Sequence, residues 1–273
     1  MNRWKWGIGL CFLILLDNTL ARADFVFFNA AQDNTLYESQ TGALSNGAGD
    51  FLFAGRIAPR GGSLLRRGLI RFDISTVASG SNVSSATLRL GMNKSDRVGA
   101  STVSLHRLTR AWGEGTSNAD NDEGGGIATT AGDASWTQAV SPGTNWTTPG
   151  GDFVATASAS LLLNADGNYT WGSNAGMVSD VQLWINNPAS NFGWIILGDE
   201  SSATTATAMR FLSRTGPITA TADRPLLTID VAAIPEPASS VLVLSSIGWL
   251  ALRRRAARRR VEQLSSIAQT TIG

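Results

Sequence analysis

Several tryptophans of this chain lie in or beside glycine-rich segments, where an indole ring would be accessible to solvent. A flat indole face stacks well on a sugar ring, and polar neighbours can bond the sugar hydroxyls. The alternative is that these rings cover the open ends of a folded β domain. Trp112 is predicted to be structural in this way. The candidate carbohydrate-binding residues are Trp136, Trp146 and Trp171.

An acidic segment at residues 118–124 places several acceptor oxygens close together in the sequence. Such oxygens suit a hard cation, and Asp120, Asp122 and Glu123 are the candidate ligands of a structural calcium ion. The segment is not an EF-hand, because Glu123 stands where that loop requires glycine and Thr129 stands where it requires glutamate. The other interpretation is a solvated acidic loop without a metal.

Catalytic chemistry has few candidate residues. His106 is the only histidine, which excludes a zinc site with several histidines and leaves a single acid/base partner for a serine nucleophile. Glu114 and the pair Asp199 and Glu200 contribute carboxylates, and two carboxylates are the minimum for glycoside hydrolysis. No nucleophile motif accompanies them. We predict no enzymatic activity, and the alternative is a polysaccharide lyase or glycoside hydrolase that uses loop carboxylates.

The apolar residues that must position these side chains alternate along short segments, which is typical of half-buried strands. The spacing of Met177, Val181 and Trp184 predicts one short helix that stops before Pro188. Trp184 and Trp194 stand in apolar runs and are predicted to lie in the core. The fold expected is an antiparallel β-sandwich with jelly-roll or Greek-key wiring. The predicted strands include residues 68–74, 86–92, 103–106, 193–197 and 227–231.

Outward-facing arginines on the predicted strands have two interpretations. Arg66, Arg67, Arg71 and Arg89 could meet acidic sugars, or they could pair with carboxylates across the sheet. Residues 24–234 contain 13 basic and 18 acidic side chains, so this body carries about −5. A mildly acidic domain argues against nucleic acid as a partner, because phosphate contacts need clustered lysine or arginine.

The N-terminus has the pattern of a secretory signal peptide. Arg3 and Lys5 precede an apolar stretch at residues 7–16, and the small residues Ala21 and Ala23 mark a cleavage site. We predict a signal peptide over residues 1–23. Cys11, the only cysteine, lies inside the apolar stretch, so the exported body has no disulfide to stabilise it.

The C-terminal region combines three features: Pro235, Glu236 and Pro237, an uncharged run at residues 238–252, and an arginine cluster. A helix of that run would rise about 22 Å, against a hydrocarbon core of about 30 Å. Arginines behind it hold their end in the cytoplasm, and their long stems extend the span. The other interpretation of the run is a buried core helix. The topology arginines are Arg253, Arg254, Arg255, Arg258, Arg259 and Arg260.

These features together resemble the PEP-CTERM sorting signal of Gram-negative bacteria that make extracellular polysaccharide. The resemblance implies that an integral-membrane exosortase recognises Pro235, Glu236 and Pro237, cleaves nearby, and releases the upstream domain. Residues 233–260 would be the sorting segment and would anchor the precursor in the inner membrane. Residues 261–273, expected to form a cytoplasmic tail, depart from the family pattern, whose members usually end soon after the basic cluster.

The body resembles the DNRLRE domain in several blocks that occur in register. These include residues 33–38, 64–74, 86–90 and 108–116, and the resemblance extends over nearly all of residues 24–232. It implies an exported, non-catalytic β-sandwich similar to carbohydrate-binding modules. Such domains bind polysaccharide where they stand beside polysaccharide lyases.

The sequence therefore predicts an exported, non-catalytic protein of the cell surface or extracellular matrix that is associated with polysaccharide. Its predicted partners are an exosortase, a polysaccharide and, before processing, the inner membrane. The remaining alternative, besides the enzyme, is a purely structural matrix protein without a dedicated ligand.

Overall fold

The computed structural model describes residues 23–57, 64–95, 99–201, 205–232 and 253–254. Residues 1–22 of the predicted signal peptide and the predicted tail at residues 261–273 lie outside the described residues. Among the described residues, no helix has both the length and the apolar character needed to cross a bilayer. Also outside them are the sorting residues Pro235, Glu236 and Pro237 and the topology residues Arg255, Arg258, Arg259 and Arg260. Arg253 and Arg254 are described, in a helical turn with exposed side chains.

The described chain consists mainly of strands, with one α-helix, α1 (Ala175–Asn186), and short 3-10 turns at Pro188–Ser190 and Ile218–Asp223. Every segment that the sequence predicted as a strand overlaps a strand of the structure, although residues 73, 74 and 193 lie outside the observed strands. Nine of the fourteen strands of the described residues were not predicted individually. In chain order the strands are β1 (Ala23–Tyr37), β2 (Leu44–Ser45), β3 (Phe51–Arg56), β4 (Leu65–Phe72), β5 (Asn82–Ser95), β6 (Ser101–Arg107), β7 (Ile127–Ala128), β8 (Gln138–Val140), β9 (Thr144–Asn145), β10 (Ala159–Leu163), β11 (Gly167–Trp171), β12 (Trp194–Leu197), β13 (Met209–Leu212) and β14 (Leu226–Ala232).

Six strands close into a barrel in the order β1, β14, β5, β13, β3, β4 and back to β1, and every pairing is antiparallel. The long strand β1 makes the closure possible because its first half pairs with β14 and its second half with β4. A register shift between Ala30 and Gln32 marks the change of partner. Beyond β4, the sheet continues through β12, β6 and β10. The predicted antiparallel β class is confirmed, whereas the closure was not predicted.

The main core lies on the inner side of these strands and is completed by α1. Helix α1 begins after Asn174, whose side-chain oxygen accepts hydrogen bonds from the backbone N–H groups of Gly176 and Met177. The helix ends before Pro188, as the sequence predicted. Its Trp184 packs edge-on against Trp194 of β12, with ring centroids 4.6 Å apart. Both tryptophans are buried, which confirms their prediction as core residues.

A second core lies on the outer side of β4, where the sequence suggested a mixed or polar surface. Leu69 of β4 packs there with Leu36 and Ile195, and all three are fully buried. The glycine-rich segment at residues 113–151 folds back over this surface and contributes Trp146, while Trp112 comes from just before it. Strand β4 is consequently buried on both faces, and the segment that covers it consists mostly of loops, as predicted.

Candidate functional site

Two of the three tryptophans predicted to bind sugar are buried. Trp146 is 5 % exposed and its Nε1–H donates to the carbonyl oxygen of Ser135 at 2.8 Å. Trp171 is 1 % exposed, lies in the main core, and donates to the carbonyl oxygen of Val103 at 3.1 Å. Neither ring presents a face to solvent, so we correct the prediction for both. Trp112, expected to be structural, is likewise buried and donates to Phe192.

Trp136 is the candidate that stays partly exposed, and its ring is held by an arginine. The guanidinium carbon of Arg67 lies 4.9 Å from the ring centroid of Trp136. Arg67 is itself fixed by Glu200, through bonds of 2.9 Å from Nε and 2.8 Å from Nη2 to the two carboxylate oxygens. A third bond of 2.8 Å joins Nη1 to the carbonyl oxygen of Gly150. Trp136 therefore has a rigid support rather than a mobile surface position.

Beside this arginine lies an open groove with a volume of about 850 Å³. Its aromatic lining is Phe153 and Phe192, and Thr109, Thr147 and Thr148 add hydroxyl groups. Aromatic surface with a few placed polar groups is the usual composition of a ligand site. After the predicted ligand, we call this depression the sugar groove. It is lined by Arg67, Thr109, Arg110, Ala111, Thr147, Thr148, Pro149, Gly151, Asp152, Phe153 and Phe192.

An ion pair lies in the sugar groove. Arg110 Nε bonds an oxygen of Asp152 at 2.6 Å, and the two side chains are 40 % and 12 % exposed. Burial opposes ionisation of Asp152, but hydrogen bonds from the backbone of Thr147, from Arg110 and from the backbone of Thr148 outweigh it. Together they hold the pKa of Asp152 below its usual value. The groove thus carries a carboxylate and a guanidinium group, and both can bond to hydroxyl groups.

The three candidate calcium ligands point to different partners. Asp120 is exposed, and the carboxylate of Asp122 pairs with Lys94 at 2.8 Å and Arg210 at 3.0 Å.

Glu123 is buried. Its oxygens accept hydrogen bonds from the side chain of Asn46 at 2.7 Å and from the backbone N–H groups of Asp50 and Phe51 at 3.0 Å. Over the part of the chain that the structure describes, no three acidic, histidine or cysteine side chains form a metal cluster. The calcium site at these three residues stays a prediction.

Replacing Glu123 with Ala is expected to lower the free energy of unfolding by about 3 kcal/mol, because three buried donors lose their acceptor. The measurement is denaturant unfolding, with calcium or with a chelator present. The loss should be the same in both conditions. The matched control is Asp120→Ala on the same loop, for which we expect a change within about 0.5 kcal/mol. Calcium would be the correct interpretation if the chelator alone destabilised the wild-type chain to the same extent.

The residues considered for catalysis are held in structural contacts. His106 bonds the carbonyl oxygen of Val154 through Nδ1 at 2.9 Å and Ser104 Oγ through Nε2 at 3.0 Å. Glu114 forms a two-bond pair with Arg214 at 2.5 and 2.7 Å. Glu200 is the partner of Arg67.

Sequence reasoning missed two features. The first is the sugar groove. Its ion pair joins Arg110 to Asp152, which are 42 positions apart in the sequence, and its Arg67 pairs with Glu200, which is 133 positions away. No local spacing indicates either pair. The second is Asp33, a fully buried carboxyl group. In the sequence it was marked only by its position in the block at residues 33–38 that resembles the DNRLRE domain.

Comparison with known proteins adds no assignment: no protein-family model matches the chain, and no characterised protein is significantly similar to it. The class shown is therefore that of a mainly antiparallel β-protein with a closed six-strand barrel. The resemblances to the DNRLRE domain and to the PEP-CTERM signal stay predictions.

Proposed function

We propose that this chain is an exported, non-catalytic protein of the cell surface or extracellular matrix that binds polysaccharide. One observation carries the proposal. Trp136, partly exposed and fixed by the Arg67–Glu200 pair, stands beside an open groove of aromatic, hydroxyl and charged side chains. Carbohydrate sites combine a ring for stacking with planar polar groups for the hydroxyls.

The fold is proposed to be a flattened barrel equivalent to a two-layer sandwich, similar to carbohydrate-binding modules. Support comes from the strands that change partner. β1 leaves β14 for β4 at its register shift, and β3 pairs with β13 through residues 51–54 and with β4 through residues 55–56. Where two packed sheets meet at a corner, they are joined by strands that bend and change their pairing partner. The jelly-roll description belongs to this proposal.

Export and sorting are proposed from the two ends of the sequence. A signal peptide over residues 1–23 would direct secretion, and the PEP-CTERM-like segment at residues 233–260 would hold the precursor in the inner membrane until an exosortase cleaves it. The order of Pro235, Glu236, Pro237, apolar run and arginines supports this step. Deleting residues 235–273 should leave export intact and abolish membrane retention of the precursor, as followed by cell fractionation.

Replacing Trp136 with Ala is expected to weaken retention of the protein in gels that contain polysaccharide by roughly two- to tenfold. This range corresponds to the free energy of one aromatic stacking contact. The assay is affinity electrophoresis of the full chain in alginate, galactomannan and β-glucan gels. The matched control is Phe27→Ala, which removes an aromatic side chain that is 64 % exposed on β1 and should not alter retention.

Each outcome of this assay has one meaning. Unchanged retention of Trp136→Ala would contradict the site. A wild-type chain retained by none of the gels would favour the purely structural matrix protein. Release of reducing sugars or unsaturated products from the gels would favour the polysaccharide lyase or hydrolase.

A further inference from the structure

A second cleft lies between the end of β4 and the segment that joins α1 to β12. Its volume is about 350 Å³, at the lower end of the range for small-molecule sites. Three polar atoms of its lining are buried and have no hydrogen-bond partner in the described structure: Nε of Arg71, Nε1 of Trp184 and Oδ1 of Asn191. We call this depression the Trp184 cleft.

The unpartnered atoms are held in place by their surroundings. Trp184 is 1 % exposed, and its ring packs against Trp194 in the core. Asn191 donates from Nδ2 to the carbonyl oxygen of Phe72 at 2.9 Å, which fixes Oδ1 as the free end of the amide. A buried donor or acceptor without a partner has a cost in stability, because it has lost its hydrogen bonds to water and gained none in the fold. A ligand that satisfies all three atoms would recover this cost.

The charge of the cleft is balanced. Among the described residues, the Arg71 side chain forms no ion pair or hydrogen bond. Asp73 also lines the cleft, and the charges of Asp73 and Arg71 attract each other. Asp73 accepts a hydrogen bond from the backbone N–H of Ser75 at 3.0 Å. Hydrogen bonds from Ser75 are the main reason that the pKa of Asp73 is lowered. A single guanidinium beside a single carboxylate favours a neutral ligand over an acidic one.

The Trp184 cleft and the sugar groove are linked along one surface by a third depression of about 320 Å³. This depression shares Ala111 and Phe192 with the sugar groove. It shares Arg71, Pro188 and Asn191 with the Trp184 cleft. Three depressions in series suit a linear polymer better than an isolated small molecule.

We propose that the Trp184 cleft binds a neutral sugar residue of the polysaccharide through its hydroxyl groups. Each hydroxyl can accept from the N–H groups of Arg71 and Trp184 and donate to Asn191 Oδ1 or to Asp73. Ile74, Val77, Ile185 and Pro188 supply the apolar wall for the face of the ring. This inference rests on the proposed function, because it adds a second contact for the same polymer.

The test follows the indole N–H resonance of Trp184 in ¹⁵N-labelled full chain, assigned with Trp184→Phe. The probes are glucose, galactose and mannose, with glucuronate as the acidic comparison. We expect at least one neutral hexose to shift this resonance saturably, and glucuronate to shift it less.

Arg71→Met should weaken binding about tenfold or more, because a charged donor is lost. Asn191→Ala is the second variant, and Arg89→Met, a half-buried strand arginine outside the cleft, is the control.

Three results would overturn the inference: no shift of the Trp184 resonance with any sugar, a response to glucuronate alone, or equal loss in Arg89→Met. The proposed function fails separately. Polysaccharide retention that depends on Trp136, together with a silent Trp184 resonance, would leave the sugar groove in place and remove the cleft. A shift of the Trp184 resonance together with unchanged retention of Trp136→Ala would support the Trp184 cleft and contradict the sugar groove.

Discussion

Asp33 is expected to make the free energy of unfolding fall by about 3 kcal/mol between pH 4 and pH 7, and Asp33→Asn should remove this pH slope. Asp33 is 1 % exposed. Burial raises its pKa from 3.8 to about 7. The backbone hydrogen bond from Arg214 and the charge of that residue lower this pKa, whereas the negative charge of Glu114 raises it further.

The sign of the effect follows from the proton count. Between the unfolded pKa of 3.8 and the folded value of about 7, the native state keeps a proton that the unfolded state has released. Stability therefore falls as the pH rises through this window, and the contribution is fully present only below the unfolded pKa. Above about pH 7 both states are ionised and the slope from Asp33 disappears.

Denaturant unfolding at a series of pH values measures this slope. Asparagine keeps an oxygen that can accept the 2.5 Å hydrogen bond from the backbone N–H of Arg214 and cannot titrate. The matched control is Asp120→Asn on an exposed loop, which should leave the slope unchanged. A slope that persists in Asp33→Asn would assign the proton uptake to a different group.

Trp171→Ala is expected to lower the free energy of unfolding by about 3–5 kcal/mol. Its side chain fills the main core next to β5 and β6, and its Nε1–H satisfies the carbonyl oxygen of Val103. Trp136→Ala, by contrast, removes a partly exposed ring and is expected to cost about 1 kcal/mol or less. Chemical denaturation of the two variants measures the difference.

The comparison of these tryptophans separates packing from binding. Trp171→Phe, as an intermediate control, should lose less stability than Trp171→Ala because more of the cavity stays filled. Normal stability of Trp171→Ala together with lost polysaccharide retention would mean that Trp171 is accessible after all, contrary to its burial in the core.

Alternation along individual strands was readable because one face of each strand meets the core. In β5, Ala86, Leu88 and Leu90 are fully buried and the residues between them are not, as their period-two spacing predicted. The same rule failed at β4. Alternation places Leu69 on the same face as Arg67 and Arg71, which were predicted to face outward, but Leu69 is fully buried. The failure has a physical cause, since a segment far along the chain covers that face.

The candidate site was predictable only in part. Trp136 is partly exposed, whereas Trp146 and Trp171 were selected by the same reasoning and are buried. Residue type and neighbouring glycines are alike for all three. What distinguishes them is which surface each loop folds against, and that depends on contacts distant in sequence.

The sequence by itself determined the antiparallel β class, the short helix before Pro188 and the charge of the body, because alternation, helical spacing and composition are local properties. Only the tertiary structure decided that β1 closes a barrel between β14 and β4 and that the glycine-rich segment builds a second core. It also decided that Arg67 supports Trp136 and that Arg71, Trp184 and Asn191 line one cleft. These arrangements depend on strand pairing and loop packing between segments that are distant in the chain, and no local pattern records them.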